Sequence, residues 1–171
     1  MVERKGLVTM KGNPVTLVGN DVKVGSKAPD FTVVGADLAP VSLSSFKGKR
    51  CLISAVPSLD TSICDKETRW FNQESGKLGA DVVVLTISMD LPFALKRWCA
   101  AANVANIKVL SDYKEASFGN AFGVLIKEFR LLARAIFIVD THGTVQYIQL
   151  VKEITTEPDY NAVLEAVKKT K

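Results

Sequence analysis

The chain has 171 residues, of which 47% are hydrophobic and 23% charged, with a net charge of +4. This describes one globular domain over residues 1–171, long enough to bury a sizeable core. The basic residues are scattered and no apolar stretch approaches a membrane span, so neither a nucleic-acid footprint nor a membrane anchor is expected, and the Lys168-Lys169-Thr170-Lys171 tail reads as a solvated end.

Met1 to Lys5 is charged with no apolar run behind it, which gives no sign of a secretory signal. Leu7-Val8-Thr9-Met10 and Val15-Thr16-Leu17-Val18 flank Lys11-Gly12-Asn13-Pro14, a hairpin composition, so residues 1–20 are expected to form an N-terminal hairpin extension. Phe31 to Val34 and Val41 to Leu43 are short strand candidates, and Ser44 to Lys49 forms a turn or a single helical turn. Leu52 to Val56 is an apolar strand closed by Pro57, which cannot donate to a central ladder.

A helix follows from about Thr61 to Gly76, with Ile63, Trp70 and Phe71 marking its buried face. Val82 to Ile87 is a β-branched run suited to a strand covered on both faces. Leu91 to Ala102 forms the next helix, with Pro92 in its first turn and an apolar stripe of Leu95, Trp98, Cys99 and Ala102. Val109-Leu110 is a minimal strand and Ser117 to Phe122 a short helix. Two strands, Arg134 to Val139 and Thr144 to Leu150, flank the tight-turn sequence Asp140-Thr141-His142-Gly143 and should pair antiparallel. A closing helix runs to Lys169 with Ala162, Val163, Ala166 and Val167 inward. Alternating strands and helices followed by a hairpin specify an α/β fold around a mixed central sheet flanked by helices.

The chemistry is expected where the apolar strand meets the helix. Asp60, Thr61 and Ser62 are all N-cap residues, so Cys64 falls in the first helical turn wherever the cap lies. Free N–H groups and the positive end of the helix dipole favour an anion there, which suits a thiolate nucleophile. Thr61, three residues earlier, shares a helix face with Cys64 and sets a hydroxyl beside the sulfur, and Pro57 can wall the site against water. His142, the only histidine, sits in a hairpin turn and is read as an exposed loop residue, so activation of Cys64 must come from the helix start and a cation. Arg69, one turn beyond Cys64, is one such cation. The three cysteines, at 51, 64 and 99, form no C-x-x-C pair and with one histidine make no usual zinc site, and a thiolate mechanism of this kind requires no metal or bound cofactor. An odd cysteine count without a signal argues for a reducing, cytoplasmic setting.

The pattern Pro57-x-x-x-Thr61-x-x-Cys64 resembles the signature of the peroxiredoxins, antioxidant thiol peroxidases on a thioredoxin-like fold. With Ser88-Met89-Asp90-Leu91-Pro92-Phe93-Ala94 and Glu153-Ile154-Thr155-Thr156-Glu157-Pro158-Asp159-Tyr160, it is similar to the bacterial thiol peroxidase subfamily, the atypical two-cysteine peroxiredoxins. That resemblance implies that Arg134 is the active-site arginine and that Cys99 is the resolving cysteine, forming a redox disulfide with Cys64. It also implies a hydroperoxide substrate, thioredoxin as reductant and a homodimer. Cys51 matches no cysteine of the family and is read as a small apolar strand residue. Ala100-Ala101-Ala102 stands where the family often has a glycine, which stiffens the helix against the unwinding a disulfide needs. Two alternatives stay open from the sequence: a non-catalytic redox sensor, and a thioredoxin-like disulfide carrier, against which the absence of C-x-x-C counts.

Overall fold

The computed structural model describes residues 1–171. In chain order the elements are β1 (Glu3–Met10), β2 (Asn13–Val18), β3 (Thr32–Val34), β4 (Pro40–Ser42), a 3-10 turn (Leu43–Phe46), β5 (Arg50–Ala55), α1 (Ser62–Ser75), β6 (Val82–Ser88) and α2 (Pro92–Ala102). There follow β7 (Lys108–Ser111), α3 (Ser117–Ala121), β8 (Leu125–Ile126), β9 (Ala135–Val139), β10 (Val145–Leu150) and α4 (Tyr160–Lys169). Seven strands form one mixed sheet in the order β10-β9-β5-β6-β7-β3-β4. Within it, β5, β6 and β7 run parallel and the outer strands are antiparallel to their neighbours. No helix is long and apolar enough to cross a membrane.

The period of two in the central strands decides which layer each residue joins. Leu52, Val84, Ile136 and Ile138 face α1 and α4, packing on Phe71, Val163 and Val167. Their neighbours Ile53, Leu85, Phe137 and Val139 face the opposite side, where Phe31, Phe118 and Phe122 stack at ring centroid distances of 4.9–5.7 Å. A third cluster joins α1 to α2 through Val56, Leu59, Cys64, Leu95 and Val109, with Trp98 and Cys99 packed against it. Both faces of β6 are therefore covered, as its β-branched run predicts.

The hairpin differs in detail from the sequence reading. Its loop is only Lys11-Gly12, both at positive φ (51° and 78°), so Asn13 and Pro14 belong to β2 rather than to the turn. Two positive-φ residues are what a tight hairpin needs to follow the strand twist, and Pro14 is tolerated at the start of a strand. The hairpin is completed by β8, which pairs with β2 through Leu17 and Ile126 in a separate three-stranded sheet. At two residues β8 is too short to leave a periodic signal, and the sequence reading missed it.

The buried face of α1 is also offset from expectation. Cys64, Glu67, Thr68 and Phe71 are buried, whereas Ile63 and Trp70 are only half-buried. Burying Glu67 violates the usual sorting of charged residues, and the reason lies in the site.

Candidate active site

The parallel pair β5 and β6 aims its carboxyl ends at one point, and the chain leaving β5 builds the site there. After Ala55, the Val56 N–H bonds to the Ile87 carbonyl, extending the strand by one residue before buried Pro57 ends it. The next loop is fixed from β6. Asp90 accepts hydrogen bonds from Ser58 Oγ at 2.7 Å, the Leu59 N–H at 2.8 Å and Ser88 Oγ at 2.8 Å. Its carboxylate thus sets the path into α1, a role that its place in the Ser88 to Ala94 block did not reveal.

Of the three cap candidates, the chain uses Thr61, extended at φ −102° and ψ 144°, which puts Cys64 third in the helix. Thr61 does not cap with its side chain. Its hydroxyl sits 2.7 Å from the Ser58 carbonyl and 2.8 Å from Cys64 Sγ instead. One hydroxyl proton cannot serve both at once, so it is free to bond the carbonyl, the sulfur or an incoming oxygen. Thr61 is exposed and Cys64 is wholly buried, so Thr61 lies at the mouth of the site.

Arg134 arrives by register from β9, the neighbour of β5 on the side away from β6. Ala135 of β9 pairs with Ala55 of β5, so the residue before β9 stands beside the loop that follows β5. Arg134 is 2% exposed and spends each nitrogen on a different partner: Nε donates to the Ile154 carbonyl at 2.9 Å, Nη1 to Glu67 Oε2 at 2.5 Å and Nη2 to Cys64 Sγ at 3.4 Å. Glu67 also accepts from Ser54 Oγ at 2.8 Å. Burial pushes the Glu67 carboxyl above the usual carboxylate range, against the pull of Arg134 and Ser54. Burial also acts to lower the Arg134 value, but attraction to Glu67 and to the Cys64 sulfur outweighs it and keeps the guanidinium charged. A buried guanidinium is tolerated only with such a counter-charge and satisfied donors, which is why Glu67 lies inside.

The Ile154 carbonyl that holds Arg134 is itself in a fixed loop. The neighbouring Glu153 carboxylate accepts from Thr9 Oγ1 at 2.7 Å, from the Lys11 and Gly12 N–H groups at 2.9 and 3.0 Å, and from the Thr155 N–H at 3.1 Å. The hairpin tip and the arginine's anchor are thereby one unit.

Thr61, Cys64 and Arg134 thus converge, and Pro57 is buried where the chain leaves β5 toward them. Glu67 was missed by sequence reasoning, although its spacing of three from Cys64 puts both on one helix face. Arg69 makes no hydrogen bond to the sulfur: its guanidinium pairs with Asp65 at 2.9 Å. His142 is exposed on its turn. The cysteines are all free thiols. Cys99 is half-buried on α2 in the same apolar cluster as Cys64, and that burial raises its thiol. Cys51 pairs with Val139 inside the sheet and belongs to the core on the opposite face, where burial pushes its thiol up to about 11. A wall of paired strands separates it from Cys64.

A family model described as Redoxin matches residues 23–164. The chain is 55% identical over 161 residues to a thiol peroxidase of Halalkalibacterium halodurans, covering 94% of this chain and 96% of that protein. It is 54% identical, with the same coverage, to a thiol peroxidase of Bacillus subtilis. Among solved structures, a peroxiredoxin-like protein from Aquifex aeolicus superposes with a TM-score of 0.89 at 44% identity, over 96% of this chain and 98% of that one. A thiol peroxidase from Chromobacterium violaceum shares the fold at a TM-score of 0.82 and 23% identity, over 95% of both chains. The mixed sheet and its helices are the thioredoxin-like fold of these peroxiredoxins, and the chain belongs to the redoxin family as a peroxiredoxin of the thiol peroxidase type.

Proposed function

We propose that Cys64 is the nucleophile of a peroxidase cycle that uses Thr61, Arg134 and Pro57 at the attack step and Cys99 at the next. The observation that carries this reading is the convergence of the Thr61 hydroxyl at 2.8 Å and Arg134 Nη2 at 3.4 Å on one buried sulfur at a helix start. The Cys64 thiolate attacks the terminal oxygen of a hydroperoxide, and the O–O bond breaks as the S–O bond forms. The leaving oxygen takes a proton and departs as water or an alcohol. Thr61 holds the peroxide in line, and Arg134 stabilises negative charge spreading from sulfur onto oxygen. Pro57 keeps water from the sulfur.

Cys99 then attacks the sulfenic acid of Cys64, and the resulting disulfide is exchanged with thioredoxin. No cofactor or metal takes part. The whole chain acts as one domain with residues 1–20 as a hairpin extension, in the cytoplasm and as a homodimer. Exposed Leu91 and Phe93 at the start of α2, 55% and 67% accessible, support an association surface beside the site.

A coupled assay with thioredoxin, its reductase and NADPH tests the cycle. Sustained peroxide-dependent NADPH oxidation, lost in Cys64→Ser, is expected. Stoichiometric oxidation without turnover would instead identify a redox sensor.

A further inference from the structure

The two helices that carry the redox cysteines are fastened together immediately beside those cysteines. Asp65 follows Cys64 on α1, and Trp98 precedes Cys99 on α2. Trp98 Nε1 donates to Asp65 Oδ1 at 2.9 Å. Arg69 Nε donates to both oxygens of the same carboxylate, at 3.0 and 2.9 Å. The guanidinium then covers the Trp98 ring, 5.7 Å from its centroid, and its Nη1 donates to the Ala102 carbonyl at 3.2 Å. The last turn of α2 is thus held from α1, while Asn103 caps it in the left-handed region with its own N–H on the Ala100 and Cys99 carbonyls.

Disulfide geometry turns this fastening into a kinetic element. A disulfide needs Cα atoms within about 7 Å and Cβ vectors turned toward each other. Here the Cys64 sulfur points at Thr61 and Arg134, and Cys99 stays half-buried on the neighbouring helix. The first turn of α1 or the last turn of α2 must open before the sulfurs meet. Because Asp65 and Trp98 each adjoin one of the cysteines, opening either turn breaks their hydrogen bond.

We propose that Asp65, Arg69 and Trp98 form a latch whose release sets the rate at which the oxidised Cys64 is resolved, and so the share lost to further oxidation. The proposal rests on the cycle described above. In the gated step the Cys99 thiolate attacks the Cys64 sulfenic sulfur; the S–S bond forms, the S–O bond breaks, and the departing hydroxide takes a proton to leave as water. While the latch stays closed, the sulfenic acid remains in the site. There a second hydroperoxide converts it to sulfinic acid, and that peroxide is reduced to water or an alcohol. The latch residues are positioning residues, since none of them touches the reacting sulfur.

The test is a single-turnover experiment with hydrogen peroxide, quenched at intervals by an alkylating agent and read by intact mass and peptide mapping. Trp98→Phe keeps the ring under Arg69 and removes only the N–H; Arg69→Gln removes the fork and the cation. Sulfenic acid should form at the parent rate in both. The Cys64 to Cys99 link should appear roughly ten- to hundredfold faster, the change expected from losing one charge-assisted hydrogen bond, and the sulfinic fraction at excess peroxide should fall. Hydrogen exchange in the reduced protein should quicken in the first turn of α1 and the last turn of α2. Protection around Phe71 should not change, whereas a merely structural contact would loosen the whole of α1. A link that forms at the parent rate or slower in both variants overturns the latch alone. Absence of any Cys64 to Cys99 link in the parent protein overturns Cys99 as the resolving residue, and the latch with it.

Discussion

Glu67 and Arg134 meet at 2.5 Å between Oε2 and Nη1 with at most 2% of either side chain exposed, so the charge facing the Cys64 sulfur depends on a carboxylate that never sees solvent. Removing one partner of a buried ion pair leaves the other charge uncompensated, which costs about 3–5 kcal/mol. Glu67→Gln should therefore lower unfolding free energy by about 3 kcal/mol in urea titrations. Arg134→Lys keeps a cation but loses the three-way fork. Its reaction with peroxide, followed by stopped flow, should slow by roughly 10²–10³, the effect of deleting one preorganised donor. Parent-like rates in Arg134→Lys would show that only charge matters there.

Thr61→Val removes the hydroxyl that lies 2.8 Å from the Cys64 sulfur while preserving the shape of the side chain. Because that hydroxyl makes no helix-cap bond, stability should fall by less than the ~1 kcal/mol typical of a lost N-cap. The peroxide rate should fall by roughly 10²–10³. Thr61→Ser should recover most of the rate. A large stability loss with little change in rate would make the Thr61 hydroxyl a structural group rather than a partner of the sulfur.

The cysteines should separate by chemistry. Cys99→Ser should reduce one equivalent of peroxide, lose thioredoxin-linked turnover and pass to sulfinic acid as peroxide rises. Cys51→Ser should turn over like the parent, because Cys51 lies across the sheet from the other two. Native Cys51 should also resist alkylation at pH 8, since burial holds its thiol near 11. A Cys51 to Cys64 peptide in oxidised protein would contradict both statements.

Asp112 gives the fold a pH dependence independent of the thiols. It is 2% exposed and accepts the Phe118 and Gly119 N–H groups at 3.0 and 2.8 Å, yet burial lifts its carboxyl from 3.8 to about 6. The folded protein therefore holds this proton where the unfolded chain has released it. The associated stability is fully present below about pH 4 and is lost as pH rises through about 6, a change of about 3 kcal/mol at most. Glu67, also raised, acts in the same sense. Chemical denaturation of the parent and Asp112→Asn between pH 4 and 7 should show a shallower slope in the variant. Equal slopes would place the titration elsewhere.

Much of this site could be read from the sequence because its parts are local. Pro57, Thr61 and Cys64 fall within one strand-to-helix turn, where strand termination and helix capping act over a few residues. Arg134 could not be placed that way. Its position depends on the pairing of Ala135 with Ala55, a register set by the whole sheet, and only the family resemblance pointed to it. Glu67 was hidden because a glutamate on an amphipathic helix normally faces water; only the arriving guanidinium explains its burial. The apolar spacing of Ile63, Trp70 and Phe71 suggested the neighbouring face for the same reason. The two-residue β8 and the placement of Pro14 in β2 rest on pairing between distant segments, which local propensity does not encode.

Hairpin tips are ordinarily the first choice for grafting an epitope or a loop, since exposed turns tolerate insertion. Here the Lys11-Gly12 tip is a poor host. Both its N–H groups are held by Glu153, and the next residue's carbonyl holds Arg134, so a graft that displaced the tip would be transmitted through one backbone step to the guanidinium beside Cys64. The Asp140 to Gly143 turn lies at the end of β9 remote from Arg134 and is tied instead to Lys27 and Ala28, so a graft there would disturb the segment before β3 rather than the guanidinium.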